Sequence, residues 1–222
     1  MGASSVTTGV VVALAVLALG LVVYSGPVAD FVKEQANART GSFWTLATVL
    51  RILHVTAFAT IFGMQLWVSF IGGVIMFKHL PRHQFGNLQS RMFPVYFQLA
   101  AVALALNISV LAILNPLAAA TLWETLQFVA LGLALVFTLT NLLVMEPVTT
   151  KLMRERHKAE KEDGISTEPG VNRKKEIEKA GPKLRAINKK FGALHGISSL
   201  LNLFAFWGLL VHVAYLGSRL AL

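Results

Sequence analysis

The chain of 222 residues has no cysteine, which excludes a disulfide-stapled secreted scaffold and leaves a bound metal without a thiolate ligand. Charge is scarce. Asp, Glu, Lys and Arg make up 14% of the residues, where a soluble domain carries about 25%. Acidic residues are the rarer kind, 11 against 20 Lys and Arg, and no Lys or Arg precedes Lys33. A secretory signal needs a basic stretch ahead of its apolar run, so the first apolar run reads as a retained helix rather than a cleaved one. No P-loop, GxGxxG or nucleophile spaced with a base is present, and the expectation is a protein that is not an enzyme and needs no cofactor.

What is abundant is apolar. Hydrophobic residues make up 55% of the chain and the mean hydropathy is +0.63, which excludes a disordered chain. The formal net charge is +9 and the pI about 10.1. A soluble nucleic-acid binder would account for the charge but not for the hydropathy, so nucleic acid is not an expected partner. An integral membrane protein with segregated charge accounts for both. The lipid bilayer is then the expected partner, with a homo-oligomer or a membrane complex partner left open.

The charge is segregated. Residues 151–190 hold 13 of the 20 basic and 7 of the 11 acidic residues, a net +6. Elsewhere the sequence is a series of apolar runs near the ~20 residues that a membrane span requires: Val10–Tyr24, Ile52–Phe77, Phe93–Leu114, Leu122–Met145 and Ile197–Leu216. The links 78–92 and 146–194 carry the positive charge and fall on one side, which the positive-inside rule makes the cytosolic side or its equivalent. The fold expected is an all-α, polytopic membrane helical bundle with four core spans and a fifth at the N-terminus. It divides into a hydrophobic helix at 1–25, an interfacial segment at 26–50 and a four-span domain at 51–222 that contains the basic hairpin 146–194.

Between the spans, Pro27 and Gly41 bracket a short helix suited to the interface. Residues 80–92 read as an amphipathic helix lying on the inner surface. In the hairpin, Glu146 to about Glu162 continues the fourth span, residues 163–172 form a flexible tip, and a helix returns from Arg173 with a break at Gly181–Pro182. Leu184, Ile187, Phe191 and Leu194 share one face of that helix, and Lys183, Arg185, Lys189 and Lys190 flank it, a pattern suited to anionic lipid.

Polar residues in the spans align at helical spacing. His54, Gln65 and Ser69 lie on one stripe of the second run, together with Phe58, Ile61 and Gly72. Gln127, Thr138 and Asn141 lie on one of the fourth, and His195, Ser199 and Asn202 on one of the fifth. Such stripes face a common interior, either as interhelical hydrogen bonding that fixes the bundle or as a small-solute pocket. Ala59, Thr60 and Gly63, on the other face of the second run, suit close helix packing. His54 and His212 are level near the outer end and could together hold a haem or metal, although no acidic or cysteine partner accompanies them. His79 and His83, with Pro81 between them, read as a solvated turn. The pairs Met64–Trp67, Met76–Phe77 and Met92–Tyr96 read as sulfur–aromatic packing. No metal-ligand set emerges.

Longer motifs sharpen this reading. Gly63-Met64-Gln65-Leu66-Trp67, then Leu80-Pro81-Arg82 with Phe85 and Gly86, then Gln89-Ser90 with Phe93-Pro94 and Tyr96, closely resemble the transmembrane protein 205 family. Glu146-Pro147 with Met153, and His195-Gly196 with Ser199, extend the resemblance over about residues 50–216. The resemblance implies a four-span protein of endomembranes, with mitochondrial or plastid membranes as alternatives. It further implies an association with tolerance to platinum drugs, as a handler or vesicular exporter of small solutes or soft-metal complexes. A sulfur–aromatic drug route would use Met64 and Trp67 here. The competing expectations are a scaffolding protein that docks anionic lipid or a partner complex through the basic hairpin, and a haem or metal redox protein.

Overall fold

A computed structural model describes residues 3–38, 44–169 and 173–219, and the described residues form helices with no strand among them. Five helical rods are long and apolar enough to cross a membrane. The protein is therefore an all-α polytopic membrane bundle.

Helix α1, Ala3–Ala38, carries Pro27 inside it and bends at Tyr24 (φ −109°, ψ 22°). A proline ring clashes with the carbonyl four residues back and removes one hydrogen bond, which accounts for the kink one residue after Val23. Residues 25–38 thus form a second helix, set off from the first by the kink at Tyr24 and with Pro27 in its first turn, as expected; Gly41 lies outside the described residues. Val11, Ala15 and Ala18 recur along one stripe and pack into the core with Ala100, Ala101 and Leu104. Small residues on both sides let the two backbones approach closely.

Helix α2, Leu46–Leu66, begins at Thr45, whose hydroxyl accepts from the Thr48 amide at 3.1 Å. A wide π turn, Trp67–Gly72, follows and leads into α3, Gly73–His79. There the Gly73 amide reaches back five residues to the Val68 carbonyl. Ala59, Thr60 and Gly63 face outward from α2 and pack nothing, so the small residues expected to support close packing lie on the exposed side. The buried stripe His54, Phe58, Ile61, Gln65 wins the interior because it can bond or pack there.

Helix α4, Arg82–Leu114, is the central rod and buries Tyr96, Phe97, Ala100, Leu104, Ile108 and Leu111. Residues 82–92 are its first turns, not a surface helix. Gly86 explains why. A Cβ there would stand 2.7 Å from Met153 Sδ and 3.0 Å from the His157 ring, so this end of α4 is clamped against α6.

Helix α5, Leu122–Thr140, starts in a capping box: the Thr121 amide donates to Glu124 Oε2 (2.8 Å), and the Glu124 amide donates to Thr121 Oγ1 (3.4 Å). A second π turn, Asn141–Met145, joins it to α6, Glu146–Glu162. Pro147 cannot donate to the Leu143 carbonyl, and the turn that holds Leu143 is the widened one. After the tip come the short α7, Arg173–Glu178, and α8, Pro182–Arg219. Gly208 sets the α5–α8 crossing, since a Cβ there would lie 2.7 Å from the Ala130 carbonyl oxygen.

Candidate functional site

Polar side chains from α2, α4, α5 and α8 meet in layers along the bundle, and the last layer opens into a cavity at the end that carries the basic hairpin. At the opposite end, His54 Nε2 and His212 Nε2 are 2.8 Å apart, and His212 Nδ1 is 3.1 Å from Gln127 Oε1. An amide oxygen can only accept, so His212 Nδ1 carries a proton, and His212 Nε2 accepts from His54 Nε2–H. Phe58 packs edge-on against His212, with ring centroids 5.1 Å apart. The expected level pair of histidines does meet. A metal between two imidazole nitrogens needs about 2 Å on each side, and a 2.8 Å hydrogen bond leaves no such gap. This pair does not fit a metal or a haem iron.

One layer in, the Gln65 amide donates to the Asn202 carbonyl at 2.7 Å. The Tyr96 hydroxyl donates to Asn202 Oδ1 at 2.8 Å, and Asn202 Nδ2 donates to Ser69 Oγ at 2.8 Å. Beside them Asn141 Nδ2 donates to the Ser198 carbonyl at 3.1 Å, and the Ser198 hydroxyl returns a bond to Asn141 Oδ1 at 2.8 Å. Ser69 and Asn141 both sit in π turns, where the extra residue re-aims a side chain. Thr138 is buried on α5. Ser199 bonds only its own helix, at the His195 carbonyl, 2.8 Å away. Sequence reasoning missed Tyr96 and Ser198 as partners in this layer. The available signal was Asn202 itself, whose amide has more valences than one glutamine can satisfy.

The cavity lies below this layer, between the α2–α3 rod, α4, α6 and the first half of α8, and holds about 660 Å³. Ser69, His195, Ser199 and Asn202 of the stripes reach it. So do seven of the chain's 14 phenylalanines: Phe70, Phe77, Phe85, Phe93, Phe97, Phe191 and Phe206. From α6 come Glu146, Thr149, Thr150 and Met153 at helical spacing, then Arg156 and His157. Met153 is the cavity's thioether; Met64 and Trp67 do not line it.

At its hairpin end the cavity wall is a charge cluster. The buried Glu160 accepts from His83 Nε2 (2.8 Å) and Arg156 Nε (3.0 Å), and Arg82 Nη2 lies 3.4 Å away. His83 is therefore bound rather than solvated in a turn, while His79 is exposed. The rings of His83 and His157 lie 4.2 Å apart. Beyond the apolar run, burial, then repulsion from His83, Arg156 and Arg82, outweigh the pull of Glu160 and push the His157 imidazole down to about 4.

The hairpin is spent on itself. Arg82 donates from its amide to the Thr167 carbonyl (2.8 Å) and from Nη2 to the Ser166 carbonyl (3.2 Å), while the Ser166 amide donates to Glu176 (2.8 Å). The described part of the tip, expected to be flexible, is thus tied down. Leu184 is buried against Ala159 and Ala180, Lys183 pairs with Glu162, and Arg185 donates to the Ala180 carbonyl. The face expected on lipid packs on α6 because that apolar surface is nearer; Lys189 and Lys190 remain exposed.

Comparison with known proteins agrees with this architecture. A family model described as a domain of unknown function, DUF4149, matches residues 56–158. Transmembrane protein 205 of Danio rerio is 30% identical over 175 residues, which cover 77% of this chain and 93% of that one. No solved structure matches.

Proposed function

The chain belongs to the transmembrane protein 205 family, and we propose that this multi-pass membrane protein is a non-enzymatic handler of small solutes, which it takes into the cavity at its hairpin end. The observation that supports this is the cavity itself. Its volume of about 660 Å³ falls in the range of about 300–1,000 Å³ typical of small-molecule sites. Its lining also combines an apolar surface, with seven phenylalanines, and polar groups that make up half of its 26 residues.

A soft-metal complex would meet one thioether, Met153, with His157 and His195 nearby, rather than the Met64–Trp67 pair. An endomembrane location belongs to the same proposal. The test is uptake by proteoliposomes that hold the purified full chain. A Ser199→Trp substitution should fill the cavity with little cost to the fold, because Ser199 bonds only within its own helix. Uptake above that of empty liposomes, lost in this variant, is expected. No uptake or binding of any solute by the folded protein would overturn the reading.

A second reading, docking on anionic lipid, is favoured by the exposed Lys151, Arg154, Lys158, Lys189 and Lys190. It predicts that the full chain recruits anionic vesicles and releases them as salt rises; recruitment indifferent to salt would refute it.

A further inference from the structure

We propose that the cavity's occupant is a lipophilic organic cation, with Glu146 as its counter-charge; this rests on the small-solute reading above. The argument begins with what remains unpaired. Glu146 lines the cavity, and its Oε1 accepts one hydrogen bond, from the Thr150 hydroxyl at 2.8 Å. No cation pairs with it among the described residues. One turn on, Thr149 Oγ1 is buried without a partner and also lines the cavity.

The cavity's basic groups are in a different position. Arg156 is bound to Glu160 and lies over the Phe191 ring, 5.1 Å from its centroid. Arg82 is divided between Glu160 and the Ser166 carbonyl, and its unpartnered Nε is buried. Arg156 is ten residues from Glu146 on one helix, about 15 Å away. The cavity therefore offers an incoming molecule a carboxylate rather than a guanidinium.

The apolar lining points the same way. Gly86 on α4 faces Met153 and His157 on α6. The two helices run antiparallel, so seven residues forward from Gly86 and seven back from Met153 bring Phe93 level with Glu146. Phe93 stacks on Phe97 with centroids 5.7 Å apart, and Phe70 sits 5.3 Å from Phe206. Phenyl faces attract cations and repel anions. A carboxylate set among such rings, partly out of water, selects a cation with an apolar body over an anion of the same shape.

The experiment uses two ions of nearly the same shape, tetraphenylphosphonium and tetraphenylborate, with neutral tetraphenylsilane as a third probe. Each is titrated against the purified full chain in detergent, and Ser199→Trp corrects for partition into the micelle. Saturable binding of the phosphonium, weakened at least tenfold by Glu146→Gln and less by Glu146→Asp, is expected, with no saturable binding of the borate. An unchanged thermal midpoint in Glu146→Gln shows that the fold is intact; if it falls, the Glu146→Asp affinity decides. Borate binding as tight as the phosphonium, or Glu146 variants that bind like the original chain, would overturn the charge assignment while the cavity reading stands. Absence of saturable binding by all three probes would overturn both.

Discussion

Replacing Glu160 with Gln tests whether one buried carboxylate holds the hairpin to the bundle. The Glu160 side chain is 2% exposed, and those of Arg82 and Arg156 are 18% and 11% exposed. Removing one partner of a buried ion pair costs about 3–5 kcal/mol, because a charge is left without compensation. The amide of Gln keeps one acceptor oxygen, which recovers about 1–1.5 kcal/mol. Its NH2 must then face either the two guanidiniums, which can only donate, or His83, which accepts at Nε2 only after moving its proton to Nδ1. The net loss is about 1.5–4 kcal/mol, roughly a 10- to 700-fold increase in local opening at about 1.4 kcal/mol per decade. Native-state hydrogen exchange reads this directly at the Arg82, Ile165 and Ser166 amides, which are bonded to Thr167, Glu160 and Glu176. Amides in the middle of α4 should not change. The exposed pair Lys183–Glu162, with side chains 69% and 59% exposed, is the control. Removing it should move the same amides far less than Glu160→Gln does, because an exposed pair is screened by solvent. Raising salt should leave the effect of Glu160→Gln intact and erase that of the Lys183 variant. Exchange in Glu160→Gln within threefold of the original would refute the argument.

His157 links the same cluster to pH. Its folded pKa is about 4 against an ordinary 6.5, so below 6.5 the unfolded form binds more protons. Its contribution to hairpin stability is therefore full above about 6.5 and disappears as pH falls toward about 4. Protection factors at the Arg82 and Ser166 amides should fall across that window, and less so in His157→Gln; an identical pH profile of protection in the variant would refute the assignment. Gly208→Ala places a Cβ 2.7 Å from the Ala130 carbonyl oxygen, so a loss of about 1–3 kcal/mol from overpacking should appear as a lower thermal midpoint. His212→Phe keeps the ring but leaves His54 Nε2–H and Gln127 Oε1 without their partners. It should cost about 1–2 kcal/mol, and adding His54→Phe should cost less than the sum, as a double-mutant cycle will show.

The spans were legible because they depend on length and apolar content alone, and the stripes because helical spacing puts His54, Gln65 and Ser69 on one face whatever they touch. Their partners were not legible. Asn107 and Tyr96 are both buried on α4 and, eleven residues apart, lie within about 20° of one face, but one amide and one phenol on that face do not say which helices they meet. Val68, Ser69 and Phe70 of the first π turn line the cavity, and nothing in the spacing around Trp67 or Asn141 announces an extra residue in a turn, although Pro147 marks where a helix hydrogen bond must fail. The hairpin misled for a different reason. Amphipathicity identifies an apolar face but not what covers it, and Leu184 found Ala159 and Ala180 rather than lipid. His83 belongs to the same class: its partner Glu160 lies 77 residues away, a separation that no local pattern encodes.

The cavity and the hairpin are mechanically one object. Arg82 and Arg156 each line the cavity and each bind Glu160, so the charge cluster is also the cavity wall. Arg82 carries the connection outward, since it holds the Ser166 and Thr167 carbonyls of the tip. A second hollow of about 270 Å³ lies on the far side of Arg82, Phe77 and Phe85, beneath that tip. Opening the hairpin must withdraw Glu160 from Arg82 and His83 of α4, while Arg156, one turn away on the same helix, stays with it; losing the Arg82 partner costs several kcal/mol in a buried setting. A force that acts on the tip reaches the cavity wall through Arg82, which bonds the Ser166 and Thr167 carbonyls. Arg82→Gln should uncouple the two. The tip amides should exchange faster while solute affinity at the Glu146 end, about 15 Å distant along α6, stays within twofold. Loss of affinity equal to that of Glu146→Gln would mean that the guanidinium, not the carboxylate, is what the solute meets.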